Sequence, residues 1–248
     1  MKLICLNTWG GRAGLPLLKN FFKKYQDADV FCLQEIWQTN DESLIEARDP
    51  RIVIDLLEQI AEELPEFKFF FRPQYRGIYG LATFVRENIQ VEEEGELFVF
   101  KHQGYENPLA MGNHGRNIQY VTLKTSSGPI TIVNFHGLWN GQGKSDSEDR
   151  ILQSQKIAQF LKGLKNPYVL AGDFNLTPLT QSFRILSEIC PKDFIFDYAV
   201  KSTRSSFYPK AERLADYVLT CGRIGASTFE VLPDEVSDHL ALRAHLTR

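Results

Sequence analysis

The sequence has no paired cysteines, no surplus of positive charge and no long apolar run. Its four cysteines, Cys5, Cys32, Cys190 and Cys221, form no CxxC pair. Three of them sit in or beside apolar stretches, so buried free thiols in a reducing, cytoplasmic compartment are expected rather than a disulfide scaffold. Lysines and arginines number 28 against 31 acids, a formal net charge of −3. A protein that coats duplex DNA indiscriminately usually carries a global basic field, and none exists here. A local basic groove is still compatible with that average, and so is a metal ion that holds phosphate. No window approaches the roughly 18 apolar residues of a membrane span. The first apolar run is interrupted at Asn7, too early for a secretory signal core. Linkers, low-complexity tracts and short-period repeats are missing too.

What remains is an ordinary globular composition, 43% hydrophobic and 24% charged over 248 residues. That length allows one large domain or two small ones, with a large core; a single domain over residues 1–248, acting as a monomer, is the expectation. Apolar periodicity predicts helices over 15–26, 51–64, 147–164 and 180–189. Strands are expected over 2–7, 28–33, 67–71, 80–85, 91–100, 117–125, 130–135, 167–171, 214–220, 227–232 and 240–246. Each half runs strands, then a helix, then a strand. The expected class is α/β (α+β): two sheets packed face to face with helices outside. The polar stretches 101–116 and 137–146 read as loops of a length that often carries function.

Five short stretches place polar residues at the ends of apolar strands: Asn7-Thr8-Trp9-Gly10, Gln34-Glu35, Asn134-Phe135-His136-Gly137, Gly172-Asp173-Phe174-Asn175 and Ser237-Asp238-His239. A strand end holds a side chain rigidly and still exposes it. Singly, each has a plain alternative. Asn7 ends a strand as asparagine often does, and Glu35 reads equally as a cap or an edge residue. His136 reads as a satisfied core histidine. Asp173 and Asn175 share a face if the backbone is extended, or form an Asx turn into the next helix. Asp238 and His239 face opposite sides or sit in a turn. Jointly the set is harder to explain that way. Glu35, Asp173 and Asp238 are hard oxygen donors suited to Mg²⁺ or Mn²⁺. His136 and His239 can donate to phosphate or handle a proton near neutrality. Asn7 and Asn175 add neutral donors. These are the parts of a phosphate-ester hydrolase.

The ordered set LNTWG, LQE, NFHG, GDFN, ADYVL and SDHLAL, running from residue 3 to 240, resembles the endonuclease/exonuclease/phosphatase superfamily. Its members include apurinic endonucleases, pancreatic-type deoxyribonucleases, neutral sphingomyelinases, inositol polyphosphate 5-phosphatases and poly(A) deadenylases. The resemblance implies a four-layer sandwich with the site at one edge of two central sheets. It implies Glu35 as main Mg²⁺ ligand with Asn7, and Asp238 as a further ligand. Asp173 would orient or deprotonate the attacking water, and Asn175 would hold water or phosphate. His239 would contact the phosphate with Asp216 fixing its ring. His136 would stabilise the phosphate or protonate the leaving oxygen. Trp9 departs from the acid that some nuclease members carry there. Arg213 lies one position further from Asp216 than the usual pattern places its basic residue.

For the substrate, Tyr79, Arg116 and Asn140 are expected to help bind, with Trp139 and Lys144 in the same loop as Asn140. Aromatics interleaved with basic residues grip nucleic acid or a phosphorylated headgroup, and either is merely solvated in other proteins. The leading expectation is a Mg²⁺-dependent phosphodiesterase acting on DNA, RNA or a nucleotide ester. A phospholipid or inositol-lipid esterase is the enzymatic alternative, and a non-catalytic binding module of the same fold is the alternative of another class.

Overall fold

Alternation in the first strand sets out the architecture. Leu3 and Cys5 face one way and Ile4 and Leu6 the other, and all four are buried. A strand covered on both faces must lie between layers. In the computed structural model, which describes residues 1–41, 49–107 and 112–248, Leu3 and Cys5 join a core shared between two sheets. Ile4 and Leu6 pack outward against helices, with Leu18, Phe21, Phe22, Leu56 and Ile60.

The first sheet contains β1 (Lys2–Asn7), β2 (Val30–Trp37), β3 (Phe67–Tyr75) and β4 (Tyr79–Arg86), with α1 (Leu15–Lys24) and α2 (Leu56–Glu63) on its outer face. The second begins with β5 (Val91–Phe100), β6 (Arg116–Leu123) and β7 (Ile130–His136). It continues through α3 (Glu148–Gly163), β8 (Tyr168–Asp173), α4 (Gln181–Ile189), the short β9 (Lys192–Asp193) and α5 (Phe194–Asp197) to β10 (Asp216–Thr220). The last strands, β11 (Gly225–Val231) and β12 (Leu242–Thr247), return to the first sheet. Strand orders are β11-β12-β1-β2-β4-β3 and β5-β6-β7-β8-β10-β9 among the described residues. Each sheet holds one parallel pair, β1 with β2 and β7 with β8, and every other pairing is antiparallel. The result is the expected α/β sandwich of two mixed sheets with helices outside.

Several element boundaries move, for identifiable reasons. The helix expected over 51–64 begins only at Leu56. Asp49 accepts from the Arg51 backbone, Val53 N–H donates to Gly10 and Ile54 accepts from Thr39, so this segment spends its hydrogen bonds on neighbouring loops. The strand expected to stop at residue 71 runs through Pro73 to Tyr75. As the outer strand of its sheet it tolerates a residue without an N–H. β2 continues past residue 33 to Trp37 through a register shift between Leu33 and Ile36. β9 and α5 have no counterpart in the sequence reading. The loop expected over 101–116 includes residues 108–111, which lie outside the described residues, and its last residue, Arg116, opens β6.

A polar layer joins the sheets beneath one edge. Gln34 Nε2 donates to Asn134 Oδ1 at 2.7 Å, and Asn134 Nδ2 donates to the carbonyls of Leu33 and Ala82. Thr83 Oγ1 donates to Gln119 Oε1 at 2.8 Å. Gln34, Asn134 and Gln119 are fully buried, so these bonds meet a need that an apolar interior would leave unmet.

Candidate active site

The two parallel pairs bring four strand ends to one edge: Asn7 and Glu35 near the ends of β1 and β2, His136 and Asp173 at the ends of β7 and β8. Antiparallel neighbours start where these strands stop. That places Tyr79 (β4), Arg116 (β6) and Asp216 (β10) at the same edge. Asp216 is the cross-strand partner of Asp173, and His136 is in register with it on the other side. Asp238 and His239 come from the loop leading into β12.

The Gly172-Asp173-Phe174-Asn175 stretch is built by close approach. A Cβ at Gly172 would lie 1.8 Å from the Phe135 carbonyl oxygen, and one at Gly137 would lie 2.0 Å from that of Phe174. Only glycine fits either contact. Phe174 is buried against Phe135 and Tyr217. The shared-face geometry considered for Asp173 and Asn175 does not occur, because Asn175 adopts a left-handed backbone, φ 53°. The Asx turn does occur: Asn175 N–H donates to Asp173 Oδ1 at 2.9 Å. The turn still brings both side chains to the edge. Asn175 Nδ2 donates to the Gly137 carbonyl, and its Oδ1 accepts from Lys144 Nζ at 3.3 Å.

One amide links the two sheets. Asn7 Nδ2 donates to Glu35 Oε1 at 3.2 Å and to Asp173 Oδ2 at 3.1 Å. Its Oδ1 accepts from the Trp9 backbone at 2.9 Å. Glu35 sits in the β2 irregularity with φ 59°, a conformation that aims a side chain at some cost in strain. Arg12 approaches Glu35 at 3.4 Å. Burial pushes the Glu35 carboxyl above the usual carboxylate range, and Arg12 offsets that only in part. Burial acts on Asp173 in the same sense, but the charges of His239, Lys144 and Arg204 outweigh it and keep the acid ionised.

The two histidines are held by opposite partners. His239 Nδ1 lies 2.7 Å from Asp216 Oδ1, and the other Asp216 oxygen accepts from Thr203 at 2.6 Å. Burial pulls His239 down, yet Asp216, helped by Asp173 and Asp238, raises its pKa overall against Arg204. Its Nε2 touches the Arg204 guanidinium and lies 3.5 Å from Asp173 Oδ2. His136 meets a cation instead. Arg116 Nη1 approaches His136 Nδ1 at 3.3 Å. A guanidinium only donates, so Nδ1 accepts and Nε2 carries the hydrogen. That Nε2 faces Asp173 Oδ2 at 3.8 Å. Burial and Arg116 together hold His136 well below 6.5, and it is neutral.

Tyr79 and Asp238 reach the cluster, whereas Asn140 makes no hydrogen bond to it among the described residues. Tyr79 packs against Trp37 and His114 at the edge. The hydrogen bonds of Asn140 go to Ser147 and to the backbone of Gln142, within its own loop. Asp238 pairs with Arg204 at 3.3 Å. Arg204 was missed from sequence: it sits in a polar loop with no periodicity, although it lies under the Tyr208 ring at 4.2 Å. Arg12 and Thr203 gave no signal either. Lys144, read as one of several loop cations, proves buried and bonded to Asn175.

Two cation sites come into question. Asp173, Asp216 and His239 have ligand atoms within 4.8 Å of one another and could hold a metal. Both Asp216 oxygens are already hydrogen-bonded, however, to His239 and Thr203. Glu35 and Asp238 are the more open acids, with side chains 21% and 14% exposed against 2% for Asp173. Hard oxygen donors of this kind suit Mg²⁺ or Mn²⁺.

Fold and edge cluster together define a class, the phosphoesterase hydrolases. Within it, the chain belongs to the endonuclease/exonuclease/phosphatase family, whose model matches residues 4–239. Comparison with curated proteins finds none that matches. Solved structures show the same fold at low identity. A family protein from Leptotrichia buccalis aligns with TM-score 0.75 and 18% identity, covering 100% of each chain. A mannosyl-6-phosphatase from Bacteroides thetaiotaomicron aligns at 0.72 and 17%, again over 100% of each chain. The human Nocturnin catalytic domain aligns at 0.65 and 16%, over 100% of this chain and 93% of its own. Among the described residues no helix is long and apolar enough to cross a membrane.

Proposed function

We propose that this chain hydrolyses a phosphate ester with a divalent metal ion, Mg²⁺ or Mn²⁺, held by Glu35, Asn7 and Asp238. The observation that carries this reading is the Asn7 amide, which ties Glu35 of one sheet to Asp173 of the other. When bound, the ion supplies positive charge that neutralises the phosphate. The remaining roles belong to the chain. Asp173, ionised and fixed by Asn7 and the Asn175 backbone, orients the water and accepts its proton as the new P–O bond forms. Asn175 holds the turn and presents its amide. The neutral His136 cannot give up a proton as an acid; its Nε2–H donates to a phosphate oxygen. His239, its ring fixed by Asp216, is placed to donate to the phosphate through Nε2 once that atom is released from Arg204. A cytoplasmic location is part of the proposal, supported by four free cysteines.

A nucleic-acid diester is the second reading. Trp9 and Phe207 lie 6.3 Å apart with Arg51 over the Trp9 ring at 5.4 Å, and aromatic faces flanked by cations stack bases. The test is hydrolysis of p-nitrophenyl phosphate and bis-(p-nitrophenyl) phosphate with Mg²⁺ or Mn²⁺, with and without chelator. Asp173→Asn is expected to lower kcat at least about a hundredfold. Hydrolysis indifferent to chelator, or an unimpaired variant, would overturn the proposal.

A further inference from the structure

Most cations at the edge have an acid beside them. Arg12 reaches Glu35 and Asp49, and Arg204 reaches Asp238. Arg150 is buried without an acid, but its guanidinium is satisfied by the carbonyls of Leu138, Gly143 and Ser145. Its work is to hold the loop that carries Lys144.

Arg116 and Lys144 are different. They are 2% and 5% exposed, and neither forms an ion pair among the described residues. Arg116 donates to Gln74 Oε1, the Gly112 carbonyl and His136 Nδ1, while its Nε has no partner. Lys144 Nζ makes one hydrogen bond, to Asn175 Oδ1. Its backbone carbonyl accepts from Thr177 N–H at 3.1 Å, which anchors the main chain of Lys144 beside the site. Burying a charge outside an ion pair costs free energy: Arg116 has no acid bonded to it among the described residues, and Lys144 feels Asp173, Asp216 and Asp238 without an ion pair to any of them. Each of the two cations touches a different residue of the site, His136 or Asn175, and those two residues flank Asp173 in sequence or in register.

We infer that the site is built for a phosphomonoester, a terminal phosphate carrying nearly two negative charges, with Arg116 and Lys144 as the groups that select it. This rests on the phosphoesterase reading above. A phosphodiester brings one negative charge, whereas a monoester at neutral pH brings about 1.5 to 2, which matches two unpaired cations better. In the reaction the water oxygen bonds to phosphorus as the ester P–O bond breaks. The bonding pair leaves on the alcohol oxygen, which takes up one water proton, and the products are an alcohol and orthophosphate. Desolvated cations favour a dianion over a monoanion in binding and at the transition state alike.

The test compares kcat/KM for p-nitrophenyl phosphate and bis-(p-nitrophenyl) phosphate in the full chain with Mg²⁺, alongside Lys144→Met, Arg116→Met and the milder Arg116→Lys. Binding of inorganic phosphate is read by calorimetry without added metal, and circular dichroism checks folding. The monoester is expected to be favoured at least about tenfold. Lys144→Met is expected to erase most of that preference and weaken inorganic phosphate binding about tenfold. A preference for the diester, or variants that slow both esters equally, would overturn the inference and leave the phosphoesterase reading intact. If neither ester turns over, the reading beneath it fails as well. A sugar phosphate and a 5′-phosphorylated dinucleotide, followed by orthophosphate release, then show which group carries the phosphate.

Discussion

Asp216 sets the charge on His239. Without it, burial and Arg204 would both favour the neutral ring. Asp216→Asn keeps an oxygen near Nδ1 but removes the charge, so the His239 pKa should fall from its position above 6.5. Below that pKa the ring is charged, so the variant should lose the imidazolium at a lower pH than the parent. An NMR titration of the ring checks this, and an unchanged or higher midpoint would contradict it. At this scale the sequence revealed much of the site. Asn7, Glu35, His136, Asp173 and Asp238 stood out because polar residues that close apolar runs interrupt a pattern. Arg204, Thr203 and Arg12 belong to no such run, and only the fold brings them in. Arg116 was expected at the substrate, but its contact with the His136 ring had no signature in the sequence.

Two elements show how local chemistry supports that edge. β7 and β8 approach so closely at Gly172 that a methyl group there would meet the Phe135 carbonyl. Gly172→Ala should therefore cost about 3 kcal/mol in denaturant unfolding, with loss of activity, because the strand pair must separate. A wild-type midpoint would show that the strands yield easily. The N-terminus of α5 is capped by Asp193, which accepts from the Ile195 and Phe196 backbones. Burial nevertheless raises its pKa to about 6. An acid whose folded pKa is raised stabilises the fold below its unfolded value, near 4, and loses that contribution as pH climbs through about 6. Asp193→Asn, which still accepts, should match the parent at pH 4 and exceed its stability by about 2 kcal/mol at pH 8. Equal stability at both pH values would count against a buried, strained acid. Element types were largely legible because strand and helix periods differ. Boundaries were less so: the 51–55 segment carries helical periodicity yet bonds to Gly10 and Thr39, partners that only the tertiary fold supplies.

Across the whole molecule, the strand order could not be read from any local pattern. The halves looked alike in sequence, and the parallel pairs β1–β2 and β7–β8 are the physical form of that likeness. Gln34 and Asn134 looked like incidental members of their motifs; they turn out to bond the two sheets together. We propose that residues 1–248 form one domain, so urea should unfold them in a single transition by fluorescence and circular dichroism alike. Two resolved steps would mean that the sheets are separate units. The pairing of β1 has a further consequence. Its neighbours are β2 and β12, so Lys2 lies opposite His245. A ribosome delivers β1 first and β12 last. The strand that carries Asn7 must wait until residues 242–247 are made before its second neighbour exists, and His239 is made just before them. A chain synthesised only as far as β11 thus lacks the assembled cluster.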